Sequence, residues 1–383
     1  MRNRDLPGKQ VLLWVALIVW LSVLFAPLRI SNPDTMRDFE VFWTAASRAA
    51  AAESLYRVDD GHFQFKYLPA FAVLASPASR MTLDIAKGKW LTVSIALIVT
   101  LIWLSVRLLP DRRRPTWFIV VAVVVAMAKF YGHELTLGQV NLAFAVLVAA
   151  GMLMLGSSRP AMAVAAFVAA VVVKPYAVLF LPWVALRGGW RAIVSATIGM
   201  TAVFVAPVGL YGVSRTIDLH RDWWDTVTTS TMPNLTNPDN VSVAAFAAKW
   251  LGVGSTASIV AAVVSLALLG FTVFIVVHDW RLDRREVLEG ALLMTLVPLI
   301  SPQGWDYVFL VATPAIALLV NYDVELPRVL RAVTWITIGV IGLSLYDLLG
   351  RQGYRAFMEW SVITLCFVVV LAALGTLRAR RVA

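Results

Sequence analysis

The chain has 383 residues, 60% of them hydrophobic and 15% charged, with a net charge of +10 and a mean hydropathy of +0.78. Soluble domains carry about 25% charged residues, so an ordinary soluble domain is excluded; a transmembrane barrel is excluded because no alternating segments of about ten residues recur. The Lys and Arg residues form short clusters without interleaved aromatics, which argues against nucleic acid as a partner and for contact with membrane lipids.

The expected fold class is all-α, a polytopic membrane protein with about twelve transmembrane helices of roughly 17–25 residues each. The first apolar run lies in "MRNRDLPGKQVLLWVALIVWLSVLFAPL". It has the basic start of a signal peptide. Its apolar stretch exceeds the usual length of about 7–15 residues and no A-x-A site follows, so a retained first span is expected. The other spans are predicted near 90–109, 116–131, 140–156, 161–174, 176–187, 192–211, 256–278, 287–300, 305–320, 329–349 and 356–377. The whole chain, 1–383, reads as one integral-membrane domain. Its two large loops are 31–89 and 212–255.

The first loop opens with "NPDTMRDFEVFWTAASRAAAA". Phe39, Phe42, Trp43, Ala46, Ala49 and Ala50 recur at helical spacing and predict an amphipathic helix lying in the membrane interface. Asp38 and Glu40 stand about 200° apart on such a helix, so a regular helix does not aim both at one metal ion. Thr35 and Asp38 have the spacing of a capping box. Asp38 therefore has three readings here: a catalytic carboxylate, a helix cap, or half of a metal pair. Further on, "YLPAFAVLASPAS" is apolar but interrupted by Pro, and predicts a short re-entrant or partly inserted helix.

Later polar groups fall between spans. "GHELTLGQVN" carries His133, Glu134, Gln139 and Asn141 without the spacing of a zinc motif. Lys174, in "VVVKPY", stands at the end of a span, either snorkelling to headgroups or holding an anionic phosphate. "NPDNVS" supplies Asn237, Asp239, Asn240 and Ser242, and "SPQGWDY" supplies Trp305 and Asp306, the latter a helix cap or a polar ligand. The lone Cys366 allows neither an intrachain disulfide nor a thiolate cluster. There is no phosphate-binding G-x-x-x-x-G-K-[ST] loop and no dinucleotide fingerprint, so a lipid-borne or membrane-permeant substrate is expected.

Charge sets the orientation. "RLLPDRRRP", "SSRP", "LRGGWR", "HDWRLDRRE", "LPRVLR" and "LRARR" alternate with connections rich in Asn, Trp, His and Pro. The Arg-rich set belongs on the cytoplasmic side, which puts 31–89 and 212–255 outside.

In this order, "DFEVFWTAASRAAAAESLY", "FKYLPAFAVLASPAS", "LTLGQVNLAFAVLVAAGM", "AAVVVKPYAVLFLPWVALRGGWRA", "NVSV" and "SPQGWDYVFL" resemble glycosyltransferase family 87, the polyprenol-phosphate-mannose-dependent mannosyltransferases. The resemblance covers nearly the whole chain. It implies a GT-C fold in a bacterial plasma membrane, with the active site on the extracytoplasmic face. It also implies a polyprenyl-phosphate-linked sugar as donor, mannose first, and a glycolipid or glycan as acceptor. No cofactor and no metal are expected. Asp38 matches the family's general base. Lys66, Tyr67, Gln139, Asn141, Lys174, Asn240, Ser242, Trp305 and Asp306 become candidates for holding the donor's phosphate and sugar. Asp306 and Tyr307 stand where the family pattern often has His. A different class, a polytopic transporter or lipid flippase without transferase activity, shares the span count, but such folds show paired repeats and midplane polar groups that this chain lacks.

Overall fold

Runs of Val, Leu, Ile and Ala with few internal breakers build helix after helix. A computed structural model describes residues 7–30, 35–157, 159–278 and 285–380. These residues form no strand; one isolated bridge joins Asn240 and Trp305.

Among the described residues, five helical stretches are long and apolar enough to cross a membrane: Leu83–Leu108, Thr116–Leu137, Pro175–Tyr211, Ser255–Val277 and Val362–Arg380. A sixth exists if Arg328–Leu343 and Tyr346–Glu359, bent by 102°, count as one broken span. Each predicted apolar segment lies in helix, yet several are short. Asn141–Leu155 and Pro160–Val173 have 15 and 14 residues, so they reach only about 21–23 Å against a hydrocarbon core of about 30 Å. Three boundaries also move, one of them in the segment predicted at 356–377, which crosses the break at Trp360 and Ser361 between helices Tyr346–Glu359 and Val362–Arg380. The segments predicted at 176–187 and 192–211 belong to one stretch, broken inside it at Gly189 (φ 65°, ψ −160°). The segment predicted at 329–349 ends at Leu343, where Ser344 and Leu345 leave the helical conformation.

The packing resolves two compact units. One comprises 14–100 and 133–230; the other comprises the described residues of 1–13, 101–132 and 231–383. The predicted loop 212–255 is divided between them: helix Val213–Thr229 belongs to the first and helix Val243–Leu251 to the second.

In the first unit, helix Arg37–Ala50 buries Phe39, Phe42, Ala45, Ala46 and Ala49. Phe39 stacks on Trp90, Phe42 meets Tyr67 and Phe71 edge-on, and the Trp43 indole donates to the Met81 carbonyl. That apolar face is therefore occupied by protein, where the amphipathic pattern pointed to lipid. The helix starts at Arg37 behind a left-handed Met36 (φ 62°), so Met36, which makes no side-chain cap bond, takes the cap position predicted for Thr35. "YLPAFAVLASPAS" becomes the seven-residue helix Pro69–Ala75 followed by a 3₁₀ turn, Ser76–Arg80. Seven residues span about 10 Å, far too little to cross. At another end of this unit a Cβ on Gly188 would meet the Pro160 ring, so the "SSRP" and "LRGGWR" connections lie together.

In the second unit, the Arg-rich turn after Leu109 folds onto the chain after Leu319. The amides of Arg113 and Arg114 donate to Asn321 Oδ1, and Arg114 pairs with Asp323 at 2.8 Å. Arg380 reaches the Glu325 carbonyl at the same end. At the far end of helix Val362–Arg380, Thr364 donates to the Val241 carbonyl, and Val241 N–H donates to Gly304. Within this unit the basic turn at 112–114 and Arg380 thus lie at one end of helix Val362–Arg380, and Val241 and Gly304 at the other. Arg378 of "LRARR" departs from the headgroup reading: it is fully buried against an equally buried Glu289, at 3.3 Å.

Candidate active site

The site in the first unit is built around a glycine. Gly138 has φ +70°, and a Cβ there would lie 2.8 Å from Phe39 Cβ and 2.9 Å from Met36 Cβ. Only a residue without a side chain tolerates both the left-handed backbone and this approach. The Met36 N–H donates to the Thr136 carbonyl, and the Trp90 indole donates to the Gly138 carbonyl. The start of helix Arg37–Ala50 is thereby pinned to the turn that carries Gln139.

From there a directed chain of hydrogen bonds runs through four side chains. Lys174 Nζ donates to the Tyr67 hydroxyl at 2.6 Å and to Gln139 Oε1 at 3.3 Å. The Tyr67 hydroxyl donates to Gln139 Oε1 at 3.1 Å, and Gln139 Nε2 donates to Asp38 Oδ2 at 2.7 Å. The chain has a cation at one end and a carboxylate at the other, so each link polarises the next in the same sense. Asp38 is half-buried, and among the described residues its Oδ1 accepts no hydrogen bond.

Local sequence explains the geometry. Pro175 disfavours helix at the residue before it, and Lys174 is extended (φ −143°, ψ 111°) as it closes helix Pro160–Val173. Tyr67 precedes the Leu68-Pro69 helix start and packs among Phe42, Phe65 and Phe71. Burial, and then the charge of Asp38, push its phenol well above the usual range, so it serves as a neutral donor. Lys66 is half-buried beside it; burial pulls its amino group below the usual lysine range, and the charge of Asp38 opposes this.

Glu40 is separated from Asp38 as the helical spacing requires. It is exposed and pairs with Lys87 at 3.5 Å. Asn141 is fully buried and donates to Glu134 Oε2 at 2.8 Å, while Glu134 Oε1 accepts from the Leu142 N–H. The Tyr176 hydroxyl donates to Asn141 Oδ1. Asn141 thus holds the helix start at Asn141–Leu155 in place. The sequence names Glu134 in "GHELTLGQVN" without giving it a role; Tyr176 is missed, and its signal is an aromatic directly after Lys-Pro.

The remaining candidates belong to the second unit. Asn240 Nδ2 donates to the Asn234 and Pro302 carbonyls, and its Oδ1 accepts from the Ser242 N–H. Ser242 caps helix Val243–Leu251 through the Ala245 N–H. Trp305 is half-buried and its backbone forms the bridge to Asn240. Asp306 is fully buried, 3.1 Å from the Lys129 ammonium. The polar atoms of Asn240 and Ser242 are engaged in building the loop, and Lys129, a cation in an apolar helix that sequence reading passed over, is the charge partner of Asp306.

No curated protein and no solved structure matches the chain. A family model described as Glycosyltransferase family 87 matches residues 65–302. That segment holds Lys66, Tyr67, Gln139, Asn141, Lys174, Asn240 and Ser242, and stops short of Asp38 on one side and of Trp305 and Asp306 on the other. With well over half of its length matched, the chain belongs to glycosyltransferase family 87.

Proposed function

We propose that this membrane glycosyltransferase moves a sugar, mannose first among candidates, from a polyprenyl-phosphate donor to a hydroxyl of a glycolipid or glycan at the extracytoplasmic face. The GT-C architecture implied by the ordered motifs is part of this reading. The observation that carries it is the placement of an open carboxylate oxygen and an ammonium on either side of one amide, Asp38–Gln139–Lys174.

The acceptor oxygen attacks the anomeric carbon from the face opposite the phosphate. The bond from that carbon to the phosphate oxygen breaks as the new glycosidic bond forms, with inversion. Asp38 Oδ1 takes the hydroxyl proton as the acceptor oxygen loses electron density. Lys174, with an N–H beyond those given to Tyr67 and Gln139, and Lys66 stabilise the charge on the departing polyprenyl phosphate. No sugar nucleotide is needed, in keeping with the absence of nucleotide-binding motifs.

The test is reconstitution into liposomes with a set of polyprenyl-phosphate sugars, following consumption of each. Asp38→Asn is expected to insert and fold as the parent does and to lose transfer by about 10²–10⁴-fold. Full activity in Asp38→Asn removes the base assignment. Passage of a lipid or solute across the vesicles with no donor consumed replaces the transferase with a transporter.

A further inference from the structure

Helix Arg37–Ala50 has a second face. Arg37, Glu40, Thr44 and Arg48 line one side of it, and together with Asp60 and Phe63 from the following segment they enclose a cavity of about 370 Å³. Ligand cavities measure about 300–1,000 Å³. Gly61 (φ 58°, ψ −121°) turns the segment Val58–Phe63 in a conformation reserved for glycine. Arg48 grips Asp60 with two hydrogen bonds of 2.5 and 2.7 Å, fixing that wall to the helix. Phe63 remains 39% exposed, with the Arg37 guanidinium 5.8 Å from its ring centre. Among the described residues, the Thr44 hydroxyl and Glu40 Oε1 have no hydrogen-bond partner.

The lining selects its occupant by chemistry. An anion meets the carboxylates of Glu40 and Asp60. An apolar chain leaves charged groups dry, which costs several kcal/mol. A pyranose suits this mixed lining: its C–H face packs on the apolar walls of Phe63, Phe65 and Val41, and its hydroxyls donate to Glu40 and accept from Arg37 and Thr44. Position then selects the role. Asp38 follows Arg37, which lines the cavity, by about 100° around the helix, so the cavity and the carboxylate share one helix start while Asp38 itself lies on the side of the buried Ala45 and Ala49. Gln139, Tyr67 and Lys174 approach Asp38 from the buried side.

We propose that this cavity binds the terminal sugar of the acceptor, with Arg37, Glu40, Thr44 and Phe63 as the acceptor side, next to Asp38 on the same helix start, and Gln139, Tyr67 and Lys174 as the donor side. The inference rests on the transferase reading above. It is tested with the full-length protein in lipid nanodiscs, using saturation-transfer NMR and methyl disaccharide glycosides of mannose, glucose and galactose as probes. At least one probe is expected to bind the parent and Asp38→Asn alike, and to bind Phe63→Ala and Glu40→Gln about tenfold more weakly. In the transfer assay the same two variants are expected to raise the acceptor KM and leave the donor KM unchanged. Absence of sugar binding in the parent, or binding by Phe63→Ala equal to the parent's, overturns the proposal even if donor sugar is consumed. Binding lost in Phe63→Ala, with no donor ever consumed, instead removes the transferase reading and leaves a sugar site.

Discussion

At the scale of single residues, Lys66 makes a pH prediction with a definite sign. Burial holds its amino group below the ordinary lysine range, so it loses its proton at a lower pH than a free lysine does. If the ammonium form holds the donor phosphate, transfer falls as pH rises through that lowered value. Lys66→Arg keeps its charge throughout the accessible range, so the alkaline limb of kcat/KM is expected to move to higher pH or vanish. An unchanged limb assigns it to another group. Residue identities were the most legible part of this site. Helical spacing puts Asp38 and Glu40 on different faces, the family resemblance selects Asp38 of the two, and Gln139 and Lys174 are polar groups at the ends of apolar runs. Their hydrogen-bond order was not legible, because it depends on Gly138 admitting Met36 and Phe39 at a distance that no local pattern encodes.

At the scale of elements, buried ion pairs decide which helix contacts are fragile. Glu289 and Arg378 are both fully buried and join helices Arg285–Ile300 and Val362–Arg380. Removing one partner strands the other charge, at a cost of about 3–5 kcal/mol, whereas replacing both by apolar groups is often neutral or stabilising. Glu289→Ala is therefore expected to lower the thermal unfolding temperature sharply in detergent, and Glu289→Leu with Arg378→Met to restore most of it. Equal loss in single and double variants would show that packing volume, not charge, holds this contact. The helical character of these elements was legible from apolar runs and breakers. The partner of Arg378 was not: "LRARR" reads as a surface cluster, and nothing in the run tells that one Arg turns inward to an acid 89 positions away. The amphipathic face of Arg37–Ala50 likewise foretold burial without telling protein from lipid.

At the scale of the whole molecule, the alternation of basic and polar connections predicts sidedness. Cys366 is the sole cysteine and is buried, so Cys366→Ala supplies the background for single-cysteine labelling. Cysteines placed at Asp59 and Asn237 are expected to react with a membrane-impermeant maleimide in intact cells. Cysteines at Arg112 and Ser157 are expected to react only after the membrane is opened. Reaction of Arg112 and Ser157 positions from outside reverses the orientation and with it the extracytoplasmic reaction. The class of the protein was legible from composition. The number of crossings was less so, because hydropathy marks apolar runs and not their straightness: the 102° bend after Leu343 and the break at Gly189 are backbone events inside or beside apolar sequence.

The amide of Gln139 has a consequence of its own. It offers its oxygen to a cation and its nitrogen to an anion, and so stands as a spacer between opposite charges that would otherwise close on each other. In a direct Asp38–Lys174 salt bridge the carboxylate and the ammonium would each be quenched by the other. Under the proposed reaction, the carboxamide between them keeps the acid available for a proton and the cation available for a phosphate.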